Sequence, residues 1–186
     1  NKKNIVTITG ESGSGVSTVT DRLAEALEYR KFSAGGLFRS LAQQYDMSVE
    51  KLNEYARENR VIDREIDMLI RRLGLGNEIV LDSRLGFYWI HDSFKVYLAV
   101  DREIAARRIY EDIVEGRRKG EKAVSIIEAA SSIQEQSESA MARYFRDYGI
   151  DISNTSSFDL IIDTDNMTRG EVVTLIRKHY KKWLSK

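Results

Sequence analysis

Residues 5–17 read Ile5-Val6-Thr7-Ile8-Thr9-Gly10-Glu11-Ser12-Gly13-Ser14-Gly15-Val16-Ser17, and the order of these residue types decides the fold. Ile5 to Thr9 is a β-branched apolar run of the kind that forms a buried strand. Gly10 to Ser17 then meets every position of the pattern G-x-x-x-x-G-K-[ST] except the lysine, which is Val16. Val19, Leu23, Ala26 and Leu27 follow at helical spacing. A strand, a glycine-rich turn and a helix in that order make a phosphate-binding loop, or P-loop. Its successive backbone N–H groups form an anion nest, and the helix N-terminus adds its dipole. Gly10, Gly13 and Gly15 permit the close approach and the positive φ that such a nest needs. The binding stretch is therefore Gly10, Glu11, Ser12, Gly13, Ser14, Gly15, Val16, Ser17 and Thr18, with the Ser17 hydroxyl placed for Mg²⁺.

Backbone amides and the helix dipole do not depend on a lysine, so phosphate binding survives at Val16. Charge that builds on a transferring phosphoryl group is another matter, because electrostatic stabilisation is most of what such a site offers. One lost fixed contact costs about 2.7–4 kcal/mol, roughly 10²–10³ in rate. A cation from elsewhere in the chain must supply it or the rate falls.

Composition narrows the class. The chain has 186 residues, 42% hydrophobic and 31% charged, which suits one globular domain with a sizeable core. Basic and acidic residues balance at 29 each, which argues against a nucleic-acid binder. Cysteine is absent and only His91 and His179 are present, so neither a disulfide frame nor a multi-histidine metal site is expected. No apolar run reaches the roughly 18 residues of a membrane helix, and no signal-peptide pattern opens the sequence. A cytoplasmic monomer without membrane contact is expected.

Strands are expected at about 4–9, 31–33, 78–81, 94–100 and 159–163. Helices are expected from the loop to about Tyr29, at 37–46, from Val49, at 61–73, and at 168–184. Helical pattern also fills 102–147, broken around Gly116–Gly120. Strands alternating with helical crossovers give an α/β fold of three layers: a five-stranded parallel sheet with helices on both faces.

With those elements in place, the chain resembles the cytidylate kinases, in the short archaeal-type form, within the nucleoside monophosphate kinases. The resemblance rests on the loop at 10–17, Ser33-Ala34-Gly35 with Leu37-Phe38-Arg39, and Ile62-Asp63-Arg64-Glu65-Ile66-Asp67. It continues through the strand that ends at Arg84, Arg143-Tyr144, Tyr148-Gly149-Ile150-Asp151-Ile152, and Asp159 to Thr164. It implies a P-loop kinase fold in one domain, with a core at 1–101 and 148–186 and a helical lid at about 102–147. It implies ATP as donor, Mg²⁺, and CMP or dCMP as acceptor. Ser33, Arg39, Asp63 and Arg84 fall at acceptor contacts, and Asp82 at an acidic position near Mg²⁺. Arg107, Arg108 and Arg143 fall at lid positions that flank the phosphates as catalytic cations.

The departures from that family cluster. Beside Val16, Glu111-Asp112 stands where a further lid arginine is common, and Gln136 replaces another. Ser83 and Gly36 also differ from the usual residues. The donor side has lost charge while the acceptor-side arginines persist. Arg117, Arg118, Lys119 and Lys122 form a basic turn that either re-supplies the lid or is a solvated charge run. Phe87 to Ile90 either lines the acceptor pocket or packs beside the sheet. Two functions follow from this: phosphoryl transfer from ATP to CMP or dCMP, weakened on the donor side, or a degraded kinase fold that binds nucleotide or a protein partner.

Overall fold

The five strands pair into a single sheet in the order β2-β3-β1-β4-β5, and every pairing is parallel. The computed structural model describes residues 2–118 and 123–185, without the side chains of Glu58 and Gln136. In chain order the elements are β1 (Ile5–Gly10), α1 (Val16–Leu27), β2 (Arg30–Ser33), α2 (Ala34–Gln44), α3 (Val49–Glu58), α4 (Val61–Leu73) and β3 (Ile79–Asp82). There follow α5 (Gly86–Trp89), β4 (Phe94–Ala99), α6 (Arg102–Val114), α7 (Ile126–Tyr148), β5 (Leu160–Asp163) and α8 (Arg169–Leu184).

Alternation along the strands sends successive side chains to opposite faces. Val6, Ile8, Val80, Val96 and Leu98 join one buried cluster with Val19 and Leu23 of α1 and Val172 and Ile176 of α8. Ile5, Ile79 and Leu81 join another with Ile70 of α4 and Ile90. Burial on both faces explains why these strands read as continuous apolar runs.

Register sets the position of the site. Ile8 pairs with Asp82, Gly10 with Leu98, Ser33 with Asp82 and Ala99 with Asp163. The carboxyl ends of the strands thus open on one edge. β1 lies between β3 and β4, so successive connections diverge there, and a parallel sheet leaves a crevice at such a point.

Short polar side chains start most of the long helices. Ser33, Ser48, Asp101, Ser125 and Thr168 accept hydrogen bonds from first-turn amides, and Thr168 with Glu171 forms a capping box. α1 differs. Gly15 caps it without a side-chain bond, and its first turn contains no acidic residue.

The expected elements are present with shifted ends. The helix expected at 37–46 runs from Ala34 to Gln44, because Ser33 caps it earlier. The 102–147 pattern divides into α6 and α7, and α7 ends against Gly149 at φ 67°. Lys119 and Lys122 lie outside the described residues. Phe87 and Ile90 are buried as packing residues, while Tyr88 and Trp89 between them are half-buried. No helix among the described residues is long and apolar enough to cross a membrane.

Candidate active site

The loop after β1 opens on a cleft of about 790 Å³ at the carboxyl edge of the sheet. Gly13 and Gly15 adopt φ of 85° and 90°, which L side chains rarely do. Space forbids a side chain as well. A Cβ on Gly13 would lie 2.9 Å from Ala105 Cα, because α6 presses on the loop there. Ser14 Oγ donates to the Glu11 carbonyl at 2.7 Å, closing the turn. The Glu11 carboxylate accepts from the Val100 amide at 2.9 Å, so its charge anchors the loop to the end of β4. Val16 packs against the core cluster beneath α1. Ser17 and Thr18 line the cleft with Gly10, Ser12 and Gly15.

Asp82 ends β3 beneath this loop. Desolvation pushes its carboxyl up to about 6, against the opposing pull of Arg84, Lys31 and the Ser17 hydroxyl. A hydroxyl and a buried carboxylate side by side suit a hard cation that keeps most of its waters and takes its other oxygens from phosphate. Among the described residues there is no group of three or more His, Cys, Asp or Glu placed to hold a metal ion. Ser17 and Asp82 fit a phosphate-bound Mg²⁺.

A second cleft of about 340 Å³ lies on the other side of β3. Asp63, Asp67, Arg84, Arg143, Tyr144 and Tyr148 are among its lining residues. Asp82, Ser83 and Arg84 line both clefts. Arg84 also donates to the Ser12 hydroxyl at 3.4 Å, linking the end of β3 to the loop. Two cavities therefore share a wall three residues long.

The predicted cations divide into three groups. Arg84 and Arg143 line the second cleft, Arg84 on the side expected of an acceptor contact and Arg143 away from the phosphate loop that it was expected to flank. Arg108 reaches the first cleft but is bound to the protein. Its guanidinium donates to the Gly13 carbonyl, the Thr164 hydroxyl and the carbonyls of Thr164 and Asp165, at 2.8–3.4 Å. It clamps the loop to the segment after β5. Arg107 is exposed on α6 and is absent from the lining of both clefts. α6 turns about 100° per residue, so adjacent arginines cannot both face the loop.

Ser33 and Arg39 are not in the second cleft either. The Ser33 hydroxyl accepts from the Gly36 amide as the cap of α2, and the neighbouring Ala34 lines the cavity instead. Arg39 is exposed, with its guanidinium beside Gly35. In the basic turn, Arg117 and Arg118 do line the first cleft. Arg117 bonds Asp112 at 2.8 Å and also pairs with Glu115. The carboxylate that replaced a cation thus holds the cation that could have compensated for it.

Sequence reasoning assigned no role to Asp67 or Arg169. Asp67 accepts from Trp89 Nε1 at 2.9 Å and from the Tyr148 hydroxyl. Burial raises its pKa, and those two hydrogen bonds resist the rise. Tyr148 is in turn pushed above the ordinary tyrosine range by burial, and then by Asp67. Asp67 lies four residues after Asp63 on α4, and that shared face was its available signal. Arg169 had no such signal: it enters the first cleft from the opposite end of the chain.

A phosphate loop joined by one wall to an acidic and basic second cleft is the layout of a kinase with two substrates. The model of the cytidylate kinase-like family matches residues 5–166. The chain belongs to that family. It is 36% identical over 185 residues to the cytidylate kinase of Sulfurisphaera tokodaii, covering 98% of each chain. It is 33% identical over 182 residues to the S-adenosylmethionine-dependent nucleotide dehydratase of Lacinutrix mariniflava. That match takes in 97% of this chain but only 36% of that longer protein. Among solved structures, shikimate kinase from Bacteroides thetaiotaomicron superposes with a TM-score of 0.64 at 12% identity, covering 95% of this chain and 98% of that one. That likeness concerns the fold, which is the α/β P-loop NTPase fold.

Proposed function

We propose that the protein transfers the γ-phosphoryl group of ATP to CMP or dCMP. The observation that carries this reading is the shared wall: Asp82, Ser83 and Arg84 line both the phosphate-loop cleft and the second cleft. Phosphoryl transfer needs the attacking and leaving oxygens in line, with positive charge around the group in flight. Two nucleotides, one in each cleft, would meet at that wall.

In this reading the amides of Gly13 to Thr18 hold the donor phosphates. Arg84 sits where it can contact the groups on both sides, and its planar fork suits phosphate oxygens. Mg²⁺, when bound, neutralises phosphate charge at Ser17 and Asp82. Asp63 and Asp67 offer acceptors to an exocyclic amine such as that of cytosine, and Arg143 balances the acceptor's charge. α6 and α7 act as the lid over this edge, which closes to exclude water. Val16 contributes no charge to the transfer step, so that step is slowed unless another cation of the cleft takes the lysine's part.

The test is ADP release from ATP with each nucleoside monophosphate in turn. Turnover with CMP or dCMP above all others is the expected result. Absence of ADP release with every acceptor at high enzyme concentration overturns the reading, and nucleotide binding without turnover then supports the degraded-kinase alternative. The pairing of Arg117 with Asp112 is the observation that favours that second reading.

A further inference from the structure

The donor cleft contains a guanidinium group that the phosphate-loop pattern does not predict. Val16 lines this cleft with an uncharged side chain that also packs against the core cluster, and Arg169 of α8 lies over Gly15, the residue just before it. A Cβ placed on Gly15 would sit 2.5 Å from the Arg169 Cζ, so the group rests on the loop itself. It shares the cleft with Ser17, Asp82 and Arg84.

Three observations mark this cation as held for an anion rather than for the fold. Among the described residues, no carboxylate bonds it. Arg108, by contrast, is spent on Gly13, Thr164 and Asp165, and Arg117 on Asp112 and Glu115. Its surroundings oppose its charge. Desolvation, then Arg108 and Arg22, lower its pKa, and only Asp112 acts the other way. It is also the first residue of α8, where a cation runs against the helix dipole. Positive charge concentrated against those costs is relieved by a polyanion bound beside it.

We propose that Arg169 supplies, from the start of α8, the positive charge to the donor phosphates that Val16 withholds. The group reaches the loop from outside α1, and its planar fork can bind two phosphate oxygens where a lysine would act as a point charge. The rate prediction below rests on the phosphoryl-transfer reading; the binding prediction does not.

The experiment compares the natural chain with Arg169→Ala, Arg169→Gln, Val16→Lys and the double variant Arg169→Ala with Val16→Lys. Calorimetry measures binding of ATP and of inorganic tripolyphosphate, and the kinase assay measures kcat and KM for ATP and CMP. Arg169→Ala is expected to weaken both polyanions and to lower kcat/KM for ATP roughly 10²–10³-fold, with KM for CMP little changed. Val16→Lys should recover most of that loss in the double variant and add much less to the natural chain, the non-additivity of two groups serving one role. Arg169→Gln keeps the aliphatic stem, so equal losses in both single variants trace to charge rather than to packing or folding. Unchanged polyanion binding in both Arg169 variants overturns the proposal. ATP binding that depends on Arg169 in a chain that phosphorylates no nucleoside monophosphate supports the proposal while removing the phosphoryl-transfer reading. Turnover on CMP that ignores Arg169 does the reverse.

Discussion

In the first cleft, the charges come from distant parts of the chain and are largely bound to protein. Arg108 from α6 is consumed by backbone carbonyls, Arg117 by carboxylates, and Arg169 arrives from α8. In the second cleft, Asp63 and Asp67 stand one turn apart on α4, and Arg143 and Tyr148 come from the end of α7. Its half-buried carboxylate, Asp67, is held by neutral donors, Trp89 and Tyr148, rather than by a cation. The contrast teaches that charge lost from a motif and charge lost from a site are different events. The donor side has lost a lysine in sequence, yet its cleft still contains arginines. What has changed is which of them can answer an incoming phosphate.

The largest expected effect falls on the wall common to both regions. Arg84→Ala should reduce kcat/KM roughly 10²–10³-fold for donor and acceptor alike. A loss confined to one substrate would break the claim that both clefts share this residue. Steady-state kinetics with each substrate varied in turn is the measurement.

Asp82→Asn separates function from stability. Its carboxyl titrates at about 6, above the ordinary 3.8, so the folded chain holds this proton more tightly than the unfolded chain. Stability contributed by Asp82 is then fully present below about pH 4 and is lost as pH rises to about 6. The variant should therefore gain up to ~3 kcal/mol in chemical denaturation at pH 8 relative to the natural chain. It should also lose Mg²⁺-dependent activity together with the acid limb near pH 6. A destabilised variant at pH 8 would contradict the assignment.

A smaller effect belongs to the second cleft alone. Asp67→Asn keeps one oxygen to accept from Trp89 Nε1 but turns an amide donor toward the Tyr148 hydroxyl, so that hydrogen bond must reverse or break, at a cost of about 1 kcal/mol. Thermal melting should fall and KM for CMP should rise, while binding of ATP stays as it was. Equal damage to ATP binding would erase the distinction between the regions.

Asp112→Asn should have the smallest effect, and in the opposite direction. Arg117 is exposed and keeps Glu115 as a partner, so its screened pair with Asp112 is weak, and loosening it should tighten ATP binding by no more than about five-fold. Weaker ATP binding in calorimetry would mean that Asp112 orients the cation rather than withholding it.

Much of this was legible along the chain. The strand, the glycines and the helix at 5–27 are local, and local rules of φ, spacing and apolar period fix them. Asp82 and Arg84 were singled out through the family resemblance, and the parallel register then carries the end of β3 to the same edge as β1. The structure departs from the expectation where two readings satisfied one pattern. Arg107 and Arg108 look equivalent in sequence, and only helix phase separates them. Ser33 was read as a ligand and serves as a cap, a role short hydroxyl residues fill equally well. Phe87 to Ile90 could have lined a pocket or packed the core, and the fold buries Phe87 beside Ile150 and Ile90 beneath the sheet while leaving Tyr88 and Trp89 half-buried.

The sequence by itself determined that a phosphate nest forms between β1 and α1, that the sheet is parallel, and that no lysine follows Gly15. Those are properties of neighbouring residues. Tertiary structure alone decided which cation stands in the nest. A guanidinium reaches the loop according to where α8 begins relative to α1, and that follows from how both helices pack on one face of the sheet.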